Sequence, residues 1–278
     1  SEFMRRDATT KKSRLSMSSV VLELCNLHKS FGALQATRDL SFQVNAGEIH
    51  ALIGPNGAGK TTVVQQIYGA LEPDEGQVFL NGRDITCLPV SERVLAGIGR
   101  SFQISNVLMD FTALENGIIA EQARLGQSFR FLYPAFDDQD LIKAAYDILC
   151  RVGLDGRAKQ RAGDLAHGER RMLELALALA TKPDLLLLDE PLAGAGPDES
   201  YRMSQLIDQL RGQVAILLIE HDMDAVFRLA DRITVMVEGA VIATGTANEI
   251  SNSSVVRAAY LGIAVSYTHL TLPTTTIV

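Results

Sequence analysis

Short apolar runs of strand length alternate with longer stretches of helical periodicity in the second half of the chain. The apolar runs are residues 185–188, 214–219 and 233–237. The helical stretches are residues 168–181, 198–211 and 222–229. Strands that alternate with helices predict a mostly parallel sheet with helices on both faces, so the expected fold class is α/β.

The first half of the chain has a different pattern. Val20–Leu24 and Leu40–Val44 alternate apolar and polar residues, as half-buried antiparallel strands do. Residues 76–80 predict another short strand, and the Asn81-Gly82 pair after it is typical of a hairpin turn. We therefore expect an antiparallel β subdomain beside the parallel sheet.

Residues 104–163 differ from both patterns. Within this region, residues 139–152 place their apolar side chains at helical spacing on one face. Asp137 or Asp138 can cap the start of this helix, and Gly153 can end it. We expect a helical subdomain here.

Composition narrows the possible partners. The chain has 278 residues, of which 47% are hydrophobic, so it can bury a full core. A formal net charge of −7 argues against binding to nucleic acid and against direct attraction to anionic lipid. We find no apolar run of about 18 residues and no apolar secretory segment, so we expect any membrane association to use a protein partner.

Both ends differ from the rest of the chain. Residues 1–19 begin like a cloning scar and continue as a basic stretch rich in Ser and Thr. Such a tail can bind acidic partners or target an organelle, but its composition favours disorder. Residues 263–278 are rich in Thr, contain no charged residue and resemble a vector-derived tail. The expected domain is therefore residues 20–262.

The three cysteines, Cys25, Cys87 and Cys150, are far apart and form no C-x-x-C pair. We expect them to be reduced thiols of a cytosolic protein, packed as small core residues.

The stretch from Gly54 to Thr61 fits the phosphate-loop pattern G-x-x-x-x-G-K-[ST]. Residues 49–53 before it predict a buried strand, and residues 62–68 after it predict a helix. This context favours a phosphate site over an ordinary Gly-rich turn. Backbone N–H groups and the helix N-terminus would face the anion, Lys60 would reach the β- and γ-phosphates, and the Thr61 hydroxyl would ligate Mg²⁺.

Two more predicted strands end in reactive groups. Residues 185–188 lead into Asp189 and Glu190, and residues 214–219 lead towards His221. In parallel sheets ligands bind at the carboxyl ends of strands, so these groups are expected beside the phosphate loop. There Asp189 can bind Mg²⁺ and Glu190 can orient or deprotonate a water. Surface-turn carboxylates and a surface histidine are the alternative interpretation.

This set of motifs resembles the nucleotide-binding subunit of an ATP-binding-cassette (ABC) transporter. Gln103 falls at the glutamine of that family's Q-loop, and Phe31 falls at the aromatic position that stacks on adenine. Residues 165–171 are similar to the family signature, usually written LSGGQ, and residues 193–198 fall at the D-loop. The resemblance covers about residues 20–262 and implies a P-loop NTPase fold with ATP and Mg²⁺ as ligands.

The resemblance also assigns roles. The catalytic residues would be Glu190, His221, Lys60 and Gln103. The metal would be held through Thr61, Gln103 and Asp189. The nucleotide would be bound by Phe31, Gly54, Asn56, Gly57, Gly59, Lys60, Thr61, Thr62, Ala166, Gly168 and Glu169.

The signature departs from the family pattern, because Ala166 replaces a Ser, His167 a Gly and Glu169 a Gln. In that family the signature contacts a nucleotide held by a second cassette, so these changes affect the contacts between two paired cassettes.

Partners also follow from the resemblance. Two cassettes, identical or different, would share their ATP sites, and residues 104–163 would grip a transmembrane permease at the cytoplasmic face of the inner membrane. A periplasmic solute-binding protein would act indirectly, and no nucleic acid is expected. The chain is similar to ATPases for branched-chain amino acid uptake; urea or amide importers and lipopolysaccharide exporters are the alternatives.

Other classes fit less well. A P-loop kinase or GTPase needs no signature helix, and a GTPase would want an N-K-x-D motif, which is absent. ABC proteins that act on ribosomes or DNA usually have two cassettes or a long coiled-coil insertion. A regulatory module without catalysis would not need Lys60, Asp189, Glu190 and His221 together.

Overall fold

The computed structural model describes residues 20–101, 107–125 and 137–261. Its strands are β1 (Val20–Phe31), β2 (Leu34–Asn45), β3 (Ile49–Ile53), β4 (Glu75–Leu80), β5 (Arg83–Asp84), β6 (Ile98–Ser101), β7 (Leu185–Asp189), β8 (Ala215–Ile219), β9 (Arg232–Val237) and β10 (Ala240–Gly245). Its helices are α1 (Lys60–Tyr68), α2 (Val90–Ala96), α3 (Ala113–Arg124), α4 (Gln139–Arg151), α5 (His167–Ala180), α6 (Pro197–Gln209), α7 (Met223–Leu229), α8 (Ala247–Asn252) and α9 (Ser254–Leu261).

A six-stranded sheet in the order β10-β9-β3-β8-β7-β6 forms the centre of the molecule. All neighbouring strands in it are parallel except β9 and β10, which form an antiparallel pair. Every residue of β3, β7 and β8 is buried, as expected for strands covered on both faces. The register places Leu52, Ile219 and Asp189 side by side, so the carboxyl ends of three strands meet at one edge.

The expected antiparallel β subdomain is a four-stranded sheet in the order β2-β1-β4-β5. Its β1 and β2 strands each have 12 residues and pair in antiparallel fashion. One buried cluster joins this sheet to α1 and to the central sheet, with Leu24 on β1, Val63 on α1 and Leu187 on β7 among its members. This shared core holds the helix that follows the phosphate loop between the two sheets.

Helices α3 and α4 lie within the region expected to be helical, residues 104–163, and both pack against α5. Thr112 and Glu115 form a capping box at the start of α3, because each side chain bonds to the backbone N–H of the other residue. Asp138 caps α4, as the sequence predicts. Ala145 of α4 packs with Ile118 of α3 in a small apolar cluster, which fixes the two helices against each other.

The sequence patterns located most of the long elements, but β1 and β2 extend well beyond the predicted residues 20–24 and 40–44, and several short elements were missed. The missed β6 contains Gly99 and Arg100 and has only four residues, so it lacks a recognisable apolar run. The cysteines are free, as expected, but the prediction that they are core residues is wrong: Cys25 is only partly buried, and Cys87 and Cys150 are exposed. Cys150 lies off the buried face of α4, which is formed by Leu141, Ala145, Ile148 and Leu149, so the helical periodicity of that segment is consistent with its exposure.

The two predicted tails, residues 1–19 and 263–278, lie outside the described residues. Within the described part of the chain, no helix has the length and apolar character needed to cross a membrane.

Candidate active site

The phosphate loop connects the buried end of β3 to the first turn of α1. A Cβ at Gly54 would clash with the carbonyl oxygen of Met236, and a Cβ at Gly59 would clash with the carbonyl oxygen of Ala36. Gly59 also has a left-handed backbone, with φ of 100°. Only glycine permits this close packing, which turns the chain sharply into the helix.

Lys60, the first residue of α1, lies over the loop that precedes it. Its Nζ donates to the carbonyl oxygen of Gly54 at 2.7 Å and to that of Pro55 at 3.0 Å. Burial lowers the pKa of this ammonium group, while the nearby carboxylates Glu190 and Asp189 raise it. The two loops at the ends of β3 and β7 therefore meet at Lys60.

Asp189 ends β7 and is almost fully buried. Burial raises the pKa of its carboxyl group; Arg100 and Lys60 act in the opposite direction. Ionisation of a carboxyl group buried in this way is costly without a positive charge nearby, and Arg100 and Lys60 supply that charge.

Glu190 and His221 lie together at the same edge. The Glu190 backbone is left-handed, with φ of 50°, an unusual conformation for a residue that is not glycine. Its N–H donates to the Ile219 carbonyl oxygen at 2.9 Å, which links the end of β7 to the end of β8. His221 Nδ1 lies 3.7 Å from Glu190 Oε1, and the two side chains are 60% and 49% exposed. Both side chains can therefore reach a ligand at the carboxyl ends of β7 and β8.

Glu220 supports this pair, although sequence analysis gave it no role. Its Oε1 accepts from the Leu192 backbone N–H at 2.8 Å, and its Oε2 accepts from the His221 N–H at 3.2 Å. The side chain is buried, and burial raises the pKa of the carboxyl group. Glu220 thus fixes the segment after Glu190 against the start of the His221 loop. Only its place beside a candidate histidine could have indicated this.

The signature residues lie elsewhere in the chain. Ala166, Gly168 and Glu169 are at the start of α5 and line a cleft of about 660 Å³ together with residues of α4 and α6. Glu169 Oε2 accepts from the Ala166 N–H at 3.0 Å, and Oε1 accepts from Arg157 Nε at 2.8 Å. These bonds lower the pKa of Glu169. Its carboxylate therefore caps its own helix.

Gly168 packs closely against α6. A Cβ built there would lie 2.5 Å from Glu199 Oε1. Any side chain at this position would therefore meet the carboxyl group of Glu199.

Phe31 ends β1 at the tip of the β1–β2 hairpin, and its side chain is 51% exposed. It pairs with Leu34 in the register, two residues before Ala36, the residue that packs against Gly59. Asp74 fixes the tip, because it accepts from Lys29 Nζ at 2.6 Å and from the Ser30 N–H at 2.8 Å. Phe31 therefore presents an exposed aromatic ring on the hairpin that packs against the phosphate loop, and Lys29 Nζ lies 5.9 Å from the centre of that ring.

The structure divides the predicted site residues into two groups. One group lies around the phosphate loop: Phe31, Gly54, Asn56, Gly57, Gly59, Lys60, Thr61, Thr62, Asp189, Glu190 and His221. The other comprises Ala166, Gly168 and Glu169. Gln103 lies outside the described residues, so its predicted role stays a prediction.

Comparisons with known proteins show which family this chain is similar to. A family model described as "ABC transporter" matches residues 37–193. The chain is 38% identical over 255 residues to the high-affinity branched-chain amino acid transport ATP-binding protein BraF of Pseudomonas aeruginosa, covering 89% of this chain and 100% of that protein. It is 37% identical, with the same coverage, to the corresponding LivG protein of Escherichia coli. The solved ADP conformation of MJ1267, an ATP-binding cassette of an ABC transporter, matches with a TM-score of 0.77 and 32% identity, covering 87% of this chain and 99% of that one.

Proposed function

The chain belongs to the ABC transporter family, and from that premise we propose that it is the ATP-hydrolysing subunit that powers uptake of branched-chain amino acids through a partner membrane permease. The cargo class is inferred from relatives that match over their whole length and are named for this transport. The convergence of Lys60, Asp189, Glu190 and His221 at one edge of the central sheet supports the ATPase role.

Each of these side chains has a distinct task in hydrolysis. The loop N–H groups and Lys60 would hold the β- and γ-phosphates of ATP. Glu190, half exposed in front of the sheet, would accept a proton from the attacking water. His221 lies within reach of the same region and would contact the γ-phosphate. Glu220 holds both segments in register through two backbone N–H groups.

The residues present fit Mg²⁺ as the bound metal. Asp189 is a buried carboxylate whose pKa is raised by burial, and Thr61 is an exposed hydroxyl residue in the first turn of α1. Among the described residues no group of three His, Cys, Asp or Glu side chains could hold a metal alone. Mg²⁺ commonly uses one or two protein ligands, several waters and phosphate oxygens. When bound, the ion would neutralise charge on the phosphates.

Phe31 would form the platform for adenine. The ring is exposed beside the phosphate loop, and the Lys29–Asp74 pair fixes the hairpin around it. Stacking on a ring reads the π-face of a base and not its edge, so it gives affinity with little selectivity.

Two cassettes would complete each other's sites. The start of α5 lines a cleft with α4 and α6, whereas the phosphate loop lies between the two sheets. A single chain therefore presents the two halves on different surfaces, and the signature of one chain would close the nucleotide site of the other. Backbone N–H groups at Gly168 would do this, because Ala166 has no hydroxyl and Glu169 is engaged as a cap.

The permease would dock on a second cleft, of about 290 Å³, between β6, α3 and α5. Ile119, Ala120 and Leu177 give it an apolar floor, and Leu108 at its edge is 43% exposed. An apolar groove of this kind suits a short helix of a membrane subunit. The chain would then act at the cytoplasmic face of the inner membrane, with a periplasmic protein delivering the solute.

The test is ATPase activity of the chain reconstituted in proteoliposomes with the permease that co-purifies from its native membrane. Leucine, isoleucine or valine, each with its binding protein, should stimulate hydrolysis and accumulate inside the vesicles. Urea should have no effect. Stimulation by urea alone would contradict the proposed cargo, and absence of any ATP hydrolysis would contradict the proposed activity.

A further inference from the structure

Arg100 reaches Asp189 across two neighbouring strands. In the parallel register Arg100 of β6 lies opposite Leu187 of β7. Leu187 and Asp189 are two residues apart on one strand, so their side chains share a face with Arg100. Arg100 Nη2 lies 3.5 Å from Asp189 Oδ2, and the two side chains are 11% and 3% exposed.

The same guanidinium group rests on an aromatic ring. Its Cζ lies 5.3 Å from the centre of the Tyr68 ring, the last side chain of α1. This stacking fixes the plane of the guanidinium group and is favourable for a cation. Arg100 thus joins the end of α1 to the end of β7.

Arg100 and Tyr68 also line the cleft of about 290 Å³ between β6, α3 and α5. The arginine therefore borders two places at once: the cleft on one side and the buried carboxylate of Asp189 on the other. A movement of its side chain changes both, because the two contacts use a single planar group.

The positive charge of Arg100 makes its contact with Asp189 sensitive to a metal ion. A guanidinium group always carries a positive charge in proteins, and it stabilises the ionised carboxylate in a buried place. A divalent cation at Asp189 would meet the repulsion of that same charge. The arginine and a metal ion are therefore competing partners for one carboxylate.

We propose that Arg100 is a positioning residue that makes the metal affinity at Asp189 depend on the state of the cleft between β6, α3 and α5. With Arg100 on Asp189 the carboxylate is occupied and metal binding is weakened. When Arg100 turns into the cleft towards a docked permease segment, Asp189 is released for Mg²⁺. The inference rests on the proposed roles of Asp189 and of the cleft, and it names the residue that links them.

The first test uses Mn²⁺ as a spectroscopic substitute for Mg²⁺. Electron paramagnetic resonance measures how tightly Mn²⁺ binds to the full chain in the presence of ADP. Arg100→Gln should bind Mn²⁺ about tenfold more tightly than the unchanged chain, since one repelling charge is removed. Arg100→Lys keeps the charge but loses the planar contact with Tyr68 that holds this charge beside Asp189, so its affinity should fall between them. Arg83→Gln, which removes an exposed arginine on β5, is the matched control and should leave the affinity unchanged.

The outcomes separate this inference from the proposed function. If the unchanged chain binds no Mn²⁺ with ADP, both the metal site and the link are wrong. If it binds Mn²⁺ and Arg100→Gln binds with the same or lower affinity, the metal site stands and the role of Arg100 is wrong. Should Arg100→Gln fail to fold, equal affinities of Arg100→Lys and the unchanged chain would overturn the proposal.

The second test measures whether the surroundings of the cleft between β6, α3 and α5 change when the metal binds. The chain contains no Trp, so Leu108→Trp introduces a single indole fluorophore at the edge of the cleft. Its emission should shift on adding ADP with Mg²⁺ and should not shift with ADP and a chelator. Combining it with Arg100→Gln should abolish the shift, whereas combining it with Arg83→Gln should not. An equal shift with Arg100→Gln would show that the cleft responds without this arginine.

Discussion

His221 Nδ1 lies 3.7 Å from Glu190 Oε1, although the two residues are 31 positions apart in sequence. Parallel pairing of β7 with β8 brings them together, because Asp189 and Ile219 are register partners. The left-handed backbone at Glu190 then points its side chain out of the sheet towards the histidine. Strain of this kind persists where surrounding contacts enforce it, and here the Glu190–Ile219 hydrogen bond does so.

Glu190→Gln should reduce ATP hydrolysis by at least about 100-fold while ATP still binds, because the amide keeps the shape of the side chain and cannot accept the proton. ATP should then hold two chains together. Steady-state hydrolysis and gel filtration with Mg-ATP measure the two effects. Glu75→Gln removes an exposed carboxylate on β4 and should retain full activity. Normal turnover of Glu190→Gln would exclude Glu190 as the base.

Phe31→Ala should weaken ATP binding by about tenfold, since a stacked base is worth roughly 1–3 kcal/mol. GTP should compete with ATP for the unchanged site, because stacking reads little of the base edge. Fluorescent nucleotide titrations measure both effects. Leu34→Ala is the control, because Leu34 is the exposed register partner of Phe31 and has no ring to stack. Equal losses in the two variants would mean that the hairpin, and not the aromatic ring, determines affinity.

Glu48→Gln should lower the melting temperature by roughly 2–10 °C near neutral pH, as expected for a buried hydrogen bond worth about 1–3 kcal/mol. Glu48 Oε1 accepts from His50 Nδ1 at 2.7 Å, and both side chains are buried. Burial alone would raise the pKa of Glu48, but hydrogen bonds from His50 and Asn45 outweigh it and lower the pKa below 4.5.

The lowered pKa of Glu48 determines how the loss of stability in Glu48→Gln depends on pH. A carboxyl group whose pKa is lowered by folding stabilises the folded state above its unfolded pKa of 4.5, and that contribution is lost as the pH falls through the folded value. The difference in melting temperature between the unchanged chain and Glu48→Gln should therefore be constant from about pH 6 to 8 and shrink below about pH 4.5. A difference that grows on acidification would contradict the assignment.

The sequence was sufficient for those parts of the site that are local in the chain. Gly54 to Thr61 define a loop and a helix start by themselves, and Asp189, Glu190 and His221 follow apolar runs long enough to be recognised as strands. Their meeting at one edge follows from the general rule for parallel sheets.

Partners brought together only by packing could not be predicted. Glu220 bonds to the Leu192 backbone 28 positions away, and Arg100 lies on a four-residue strand without an apolar pattern. His50 bonds to Glu48 on one side and Thr234 on the other, although a lone histidine in a strand gives no sign of such a network. The contacts of Glu220 with Leu192, of Arg100 with Asp189 and of His50 with Thr234 depend on strand order, which sequence periodicity does not specify.

Gly168→Asp should abolish hydrolysis while a single chain still binds ATP nearly normally. The new side chain would displace the Glu199 carboxyl group and add a second carboxylate at the helix start, where backbone N–H groups are proposed to hold the γ-phosphate. Ala166→Ser is the control and should be tolerated, because Ala166 is exposed and the change adds only a hydroxyl. Loss of ATP binding by the single chain carrying Gly168→Asp would place the signature in that chain's own site.

Each ATP site is proposed to combine Lys60 of one chain with Gly168 of a second chain. This can be examined in dimers of two differently tagged chains, both with Glu190→Gln to retain nucleotide. One dimer has Lys60→Ala and Gly168→Asp on the same chain, and the other has them on opposite chains. In the same-chain dimer each of the two shared sites carries one defect. In the opposite-chain dimer both defects fall in one site, and the other site is intact.

The deciding measurement is the amount of nucleotide trapped per mixed dimer. Shared sites predict one ATP per dimer when the substitutions are on opposite chains and none when they are on the same chain. If each chain built its site alone, the same-chain dimer would instead keep one ATP in its unchanged partner, and the opposite-chain dimer would keep none. That reversed result would contradict a site shared between two chains.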